Sequence, residues 1–375
     1  MLFFFGLSFI SYQSEKIFIP LYVICLLVLF YKSFLVQWKR FFIGTVMLSL
    51  FLLPFLIATF SPGALLRFSG TNIITANENT IEKAAFDQQI IIAHNNHNTL
   101  GVILHNRRLF FANLLFQSYS SHFDPKWLFI NNNNNGQFKA PNVGLLNIAF
   151  SPWYILGIIA LVTVPINKKI KIAILLLLFI SPLPATITTG APHAIRSYPL
   201  VIVAQIIGGL GFVFTLFLFR NKTVKILLMC LFVTSSLYAM SSFYENYFYA
   251  FPLSDSQDFQ YAMKLSMIYT KNHKNEYKQV VISNRDNLYQ SYMFYLFYSQ
   301  YPPQKYQKNG GTISGGYAQI HSIDNITFRS INWDKDIYLK HALLLGNQIR
   351  ISPGIKRAKM FYNLNGNAAI AIVKT

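Results

Sequence analysis

Acidic residues are scarce in this chain. Its 375 residues carry 13 Asp+Glu against 32 Lys+Arg, and only 12% of positions are charged. A soluble domain holds roughly 25% charged residues, so the composition points to burial in lipid. The hydrophobic content of 53% and the mean hydropathy of +0.36 agree. Cysteine is rarer still, with Cys25 and Cys230 both inside apolar runs. That usage excludes a disulfide framework and offers no cysteine-based metal site.

The position of the missing acids matters more than their number. No Asp or Glu occurs in 17–31, 41–60, 143–166, 170–187, 198–219 or 226–244. These six stretches read as fairly complete membrane spans, given that about 20 mostly apolar residues cross the hydrocarbon core. Ion-coupled transport needs an ionisable group within the membrane, so the pattern disfavours a pump. Residues 1–12 are apolar from the start, without the basic leader or small-residue cleavage site of a signal peptide. They read as the outer end of one more, partial helix, and the chain as the C-terminal part of a longer protein.

What the chain does have is three small basic clusters between apolar runs: Lys32 with Lys39 and Arg40, then Lys168, Lys169 and Lys171, then Arg220, Lys222 and Lys225. Under the positive-inside rule these are cytoplasmic connections. The turn Ser11–Lys16, the loop 61–141, the corner 191–198 and everything after 244 are then expected outside. The formal net charge of +19 is used on topology and the bilayer surface, and nucleic acid is not an expected partner. The expected fold is a polytopic α-helical membrane protein over 1–244 with a small C-terminal extracytoplasmic α/β domain over 245–375, located in the cell (plasma or inner) membrane.

The loop 61–141 is too long for a simple connector. Apolar periodicity predicts helices at 81–93 and 100–119, and Arg107 and Arg108 among large apolar residues suit a helix lying along the interface. Asn131–Asn135 is a polar low-complexity run read as a turn. In the tail, 255–272 reads as helix, 278–283 as strand and 287–301 as helix or strand. Pro302-Pro303 stops that last element, and strands are expected at 337–345 and 368–373. His94 and His97 offer two imidazoles without an obvious third ligand, and no metal is expected. Asn325-Ile326-Thr327 is a glycosylation sequon of low specificity.

Tyr12 and Lys16 place a phenol and a cation at the mouth of the first outer turn. They suit a phosphate, or equally a belt aromatic and a lysine snorkelling to headgroups. The surrounding stretch GLSFISYQSEKIFIPL resembles the outer corner "G-L-S-x-Y-T-Y-x-x-x-R-x-F-x-P-L" of bacterial C-type membrane glycosyltransferases, which are related to the dolichyl-phosphate-mannose protein mannosyltransferases. Lys16 stands where that family commonly has Arg, which keeps the charge but loses the bidentate fork. PKWLFINNNNNGQFKAPNVGLLNIAFSPWYILGI is similar to the family's polar loop leading into a helix, with Lys139 near a position often basic. APHAIRSYPLVIVAQIIGGLG resembles another outer corner through Pro192, His193, Arg196, Tyr198 and Pro199. VVISNRDNLYQSYMFYLFYSQYPPQKYQ is similar to the tail domains of one bacterial branch.

The resemblance implies sugar transfer from a polyprenyl-phosphate donor to a cell-envelope glycan, lipid or protein. It implies lipid-phosphate contacts from Tyr12, Lys16, His193 and Arg196, with Arg107, Arg108 and Lys139 as further candidates. The family's key carboxylate follows its first membrane helix, so the acid is expected upstream of Met1 and this chain alone is expected to be inactive. The carboxylates Glu15, Glu78, Glu82, Asp87, Asp124 and Glu245 match no catalytic context and read as solvated charges. Two other classes stay open: a non-catalytic membrane subunit or envelope assembly factor, and a transporter or flippase.

Overall fold

The computed structural model describes residues 2–59, 72–73, 80–131, 136–311 and 320–375. Glu78, Phe60 and Asn132–Asn135 lie outside the described residues, as do most of 61–79 and the side chain of Glu82. The chain divides into two compact units, Met1–Asn134 with Phe138–Tyr244, and Asn135–Gln137 with Glu245–Thr375.

The first unit is helical. Its elements are α1 (Leu2–Ser11), α2 (Glu15–Leu29), α3 (Tyr31–Val36), α4 (Trp38–Thr59), α5 (Thr80–Asn95), α6 (Thr99–Leu104) and α7 (Arg107–Ser120). They continue as α8 (Ser151–Thr163), α9 (Lys168–Ile180), α10 (Leu183–Thr186), α11 (Pro199–Leu218) and α12 (Lys222–Glu245). Among the described residues, four helical runs are long and apolar enough to cross a membrane: Trp38–Ile57, Lys168–Thr186, Pro199–Leu218 and Lys222–Ser254.

Two expected spans are shorter as helices. The stretch 17–31 becomes α2, which ends at Leu29 and restarts as α3 after Phe30. The stretch 143–166 contributes only α8, from Ser151. Its first residues pair elsewhere, with Leu145 and Leu146 donating their backbone N–H groups to Trp127 and Leu128. Asn147 then caps a short turn by accepting from Ala149 N–H, and Pro152 opens the helix. The expected helix 100–119 is likewise two helices, because Asn106 accepts from Arg108 N–H and starts α7 afresh.

The tightest helix pair is α8 against α11. A Cβ added at Gly157 would run into the Ile207 carbonyl, and one at Gly211 into the Trp153 carbonyl. Glycine at these positions lets two backbones approach closely, the small-residue packing typical of helices in lipid. Val203, Ala204 and Ile207 are fully or nearly fully buried at this seam.

The second unit is a six-stranded sheet with helices. Strands β1 (Gln279–Ile282), β2 (His321–Ile323), β3 (Ile326–Phe328), β4 (Ala342–Asn347), β5 (Lys359–Tyr362) and β6 (Ala368–Lys374) are ordered β2-β3-β1-β4-β6-β5. β1 runs parallel to both β3 and β4, and the remaining pairs are antiparallel. Alternate residues serve opposite faces, as the pleat requires. Val280, Ile282, Leu343, Leu345, Ile370 and Ile372 join a core with Met263, Met267, Tyr292 and Tyr295. Val281, Leu344, Ala371 and Val373 join a second core, with Trp333 packed against it. Helices Met263–His273 and Ser291–Ser299 thus cover one face, and the segment around Trp333–Asp336 covers the other.

Candidate functional site

A corner of the helical unit, from Thr186 to Ser197, gathers several sequence-predicted residues. Arg196 is half-buried, and its Nη1 donates to Thr188 Oγ1 at 2.7 Å and to the Thr189 carbonyl at 2.8 Å. Thr188 Oγ1 in turn donates to the Ala185 carbonyl. The guanidinium is therefore held by one nitrogen. Among the described residues nothing bonds its Nε and Nη2, the edge that grips a phosphate or carboxylate with two parallel hydrogen bonds.

His193 is buried, and its Nδ1 accepts the Arg196 backbone N–H at 3.3 Å. Its own backbone N–H donates to His122 Nε2 at 3.2 Å. His122 is fully buried at the end of α7, and its Nδ1 lies 2.8 Å from the Ser118 carbonyl. A carbonyl only accepts, so His122 carries its proton on Nδ1 and His193 on Nε2. Burial pushes the pKa of both down to about 4, the Arg196 charge adding to the effect at His193. At neutral pH His193 is thus a neutral hydrogen-bond donor rather than a second cation.

Other contacts tie the corner to its surroundings. Ser118 Oγ donates to the Thr186 carbonyl, fixing the end of α7 against α10. Asn72 pairs with Thr188 in an isolated antiparallel bridge. The Phe138 ring lies 4.6 Å from the His193 ring, which brings the chain at half-buried Lys139 alongside. Phe18 and Ile19, in the first turn of α2, pack with Ile180 and Leu183. The turn bearing Tyr12 and Lys16 therefore lies at the same end of the helices as the 186–197 corner.

Arg107 and Arg108 are placed differently. They are exposed at the start of α7, eleven and ten positions before Ser118, or about 15 Å along the helix at 1.5 Å per residue. Arg107 lies 5.9 Å from the Phe111 ring centroid, and the structure does not bring either arginine to the corner. His97 lies past the end of α5 with φ of 50°, so it does not share a helix face with His94. Among the described residues no three His, Cys, Asp or Glu side chains gather as a metal site.

Of the carboxylates, Asp87, Asp124 and Glu245 are exposed. Glu15 departs from the solvated reading. It is half-buried at the start of α2, accepts from Ser8 Oγ at 3.2 Å, and burial raises its pKa despite that bond. One member of this corner, His122, was not singled out from sequence. His122 gives no local signal, because its partner His193 is 71 positions away.

An apolar groove lies elsewhere. It offers about 930 Å³ between Phe3, Leu26, Phe30, Phe41, Met47 and Phe51, with Arg40 on its wall. Its Phe30 end is about 20 Å along the helix from Lys16, so groove and corner are separate features of one helical unit. No family model, curated protein or solved structure matches the chain.

Proposed function

We propose that the helical unit is part of a membrane glycosyltransferase of the C type, transferring a sugar from a polyprenyl-phosphate donor to a cell-envelope acceptor. The observation that carries this reading is Arg196, fixed through Nη1 by Thr188 and Thr189 with the Nε–Nη2 edge unbonded among the described residues. A leaving lipid phosphate gains two charge-assisted hydrogen bonds from such an edge. A guanidinium already oriented by the protein loses little freedom on binding.

In this reading Lys16 and Lys139 add positive charge, and neutral His193 adds a donor on Nε2. The four long apolar runs support a bilayer setting, and the groove by Phe30 and Phe41 suits an isoprenoid or acyl chain. Placement of the corner and the sheet unit on the extracytoplasmic side rests on the positive-inside rule.

The test is sugar transfer in membranes holding the complete polypeptide, with Arg196→Ala and Lys16→Ala. A fall in turnover of about a hundredfold for Arg196→Ala is expected, since a charge-assisted phosphate contact is worth about 3 kcal/mol in the transition state. Undiminished transfer in both variants would sink the assignment. A non-catalytic membrane subunit is the reading that would then remain.

A further inference from the structure

The sheet unit has its own cavity. β1 lies between two parallel strands, β3 and β4. The connection leaving β1 packs its helix on one face of the sheet, and the connection entering β4 packs Trp333 on the other. Such a reversal opens a crevice at the carboxyl ends of β1 and β4, the common ligand position in open α/β sheets. A cavity of about 170 Å³ occurs there, lined from the loop after β1, the end of β4, the β5–β6 turn and the segment before Met263.

Its lining is unlike the rest of this basic chain, because no charged side chain contributes. Gln257, Gln260, Asn287, Asn347, Asn363 and Asn367 supply side-chain amides, and Met263, Leu288 and Ile370 supply apolar surface. Asn347 serves the fold, donating to the Asp286 carbonyl and accepting from Ile349 N–H. The other amides do not serve it in this way. Gln260 Oε1 is buried without a hydrogen-bond partner. The side-chain amides of Gln257, Asn287, Asn363 and Asn367 bond no other described residue, although Asn363 is only 6% exposed. Gln257, Asn287 and Asn367 are exposed at the rim, whereas Gln260 Oε1 and Asn363 lie deeper. Buried polar groups are nearly always satisfied, so these two point to an occupant that satisfies them.

The backbone around the cavity is also held in unusual form. Gln260 and Asn287 have φ of 52° and 66°, and the neighbouring Asp286 has 56°. Left-handed backbone at non-glycine residues is costly and clusters at binding sites. The Asp286–Arg350 ion pair at 2.9 Å braces the loop.

We infer that this cavity binds the neutral, hydroxylated ring of a sugar. Each amide offers a donor beside an acceptor, matching adjacent hydroxyls that both give and take hydrogen bonds. An apolar floor suits the C–H face of the ring, and the uncharged lining gives a phosphate or carboxylate no counter-charge. This site requires nothing of the lipid-phosphate reading, and its ligand is a sugar ring rather than a lipid phosphate.

The experiment uses the full chain in a detergent without a sugar headgroup, titrated with methyl glycosides of glucose, mannose, galactose and N-acetylglucosamine and followed by saturation-transfer NMR. Glucuronate and an Asn-Gly peptide serve as competitors. At least one neutral glycoside is expected to bind in the millimolar range or tighter, with glucuronate about tenfold weaker. Asn363→Leu and Asn367→Leu are each expected to weaken binding about tenfold while melting as the parent does. Asn367 is exposed, so that variant tests the site even if Asn363→Leu fails to fold. Arg196→Ala is expected to leave glycoside binding unchanged, which separates this site from the corner. The inference is overturned if no glycoside binds better than glucuronate, if the peptide binds more tightly than every glycoside, or if folded Asn367→Leu binds as the parent does.

Discussion

His122 accepts the backbone N–H of His193 through Nε2 at 3.2 Å, joining the end of α7 to the corner that carries Arg196. Because Nδ1 of His122 is committed to the Ser118 carbonyl, this bond exists only while the imidazole is neutral. Protonation would place an N–H against an N–H. The corner is thus held by a residue that must stay uncharged, beside one that must be charged.

That relationship predicts acid sensitivity. Both histidines have folded pKa values near 4, against the ordinary 6.5. Between those values the unfolded chain binds protons that the folded chain refuses, so stability falls with falling pH. The contribution is complete above 6.5 and is lost on approach to 4. Thermal melts in micelles should show the midpoint dropping across this window. His122→Asn, which does not titrate, should reduce the drop to the part that His193 contributes.

Positioning of Arg196 predicts a second effect. Thr188→Val removes the hydroxyl that Nη1 bonds, while the Thr189 carbonyl contact stays. Binding of a short polyprenyl phosphate should weaken about fivefold, the equivalent of one hydrogen bond of about 1 kcal/mol. Unaltered affinity would mean that the guanidinium needs no such support.

The seam between α8 and α11 predicts contrasting outcomes on one helix. Gly211→Leu drives a side chain into the Trp153 backbone, whereas Gly209 faces open space. The first substitution should cost about 2 kcal/mol or more, as overpacking does, and Gly209→Leu should be tolerated. Melting midpoints of the two variants in the same detergent check this directly.

In the sheet unit, Asp324 lies at the β2–β3 turn and accepts from Lys274 at 2.9 Å, Lys305 at 3.0 Å and Tyr301 at 3.1 Å. Burial alone would raise its pKa, but these partners together lower it to about 2, against 3.8. The stability it confers is therefore present above 3.8 and lost as pH falls towards 2. Asp324→Asn should destabilise at neutral pH by about 1 kcal/mol, allowing for solvent screening. The difference from the parent should vanish in acid.

The helical character and the C-terminal sheet were legible for a physical reason: long apolar runs and doubly buried strands leave continuous hydrophobic stretches. Gln279–Ile282, Ala342–Asn347 and Ala368–Lys374 are such strands. His321–Ile323, Ile326–Phe328 and Lys359–Tyr362 were not anticipated, being three or four residues long and partly polar. The 287–301 segment was ambiguous by periodicity. It resolves as helix only from Ser291, after Gln290 takes a left-handed conformation. At the corner, residue types flagged Arg196 and His193, but nothing local revealed that Thr188 orients the arginine or that His122 holds the histidine. Those are contacts between distant segments, which spacing along a chain does not encode.

The measurement that tests the central claim most directly is binding of farnesyl phosphate to the purified chain, followed by phosphorus NMR in micelles, with farnesol as the uncharged control. The account predicts saturable binding of the phosphate, loss of about tenfold or more in affinity for Arg196→Ala, and partial recovery in Arg196→Lys. Equal affinity of the parent and Arg196→Ala for the phosphate, or equal affinity of the parent for farnesol and farnesyl phosphate, would contradict it.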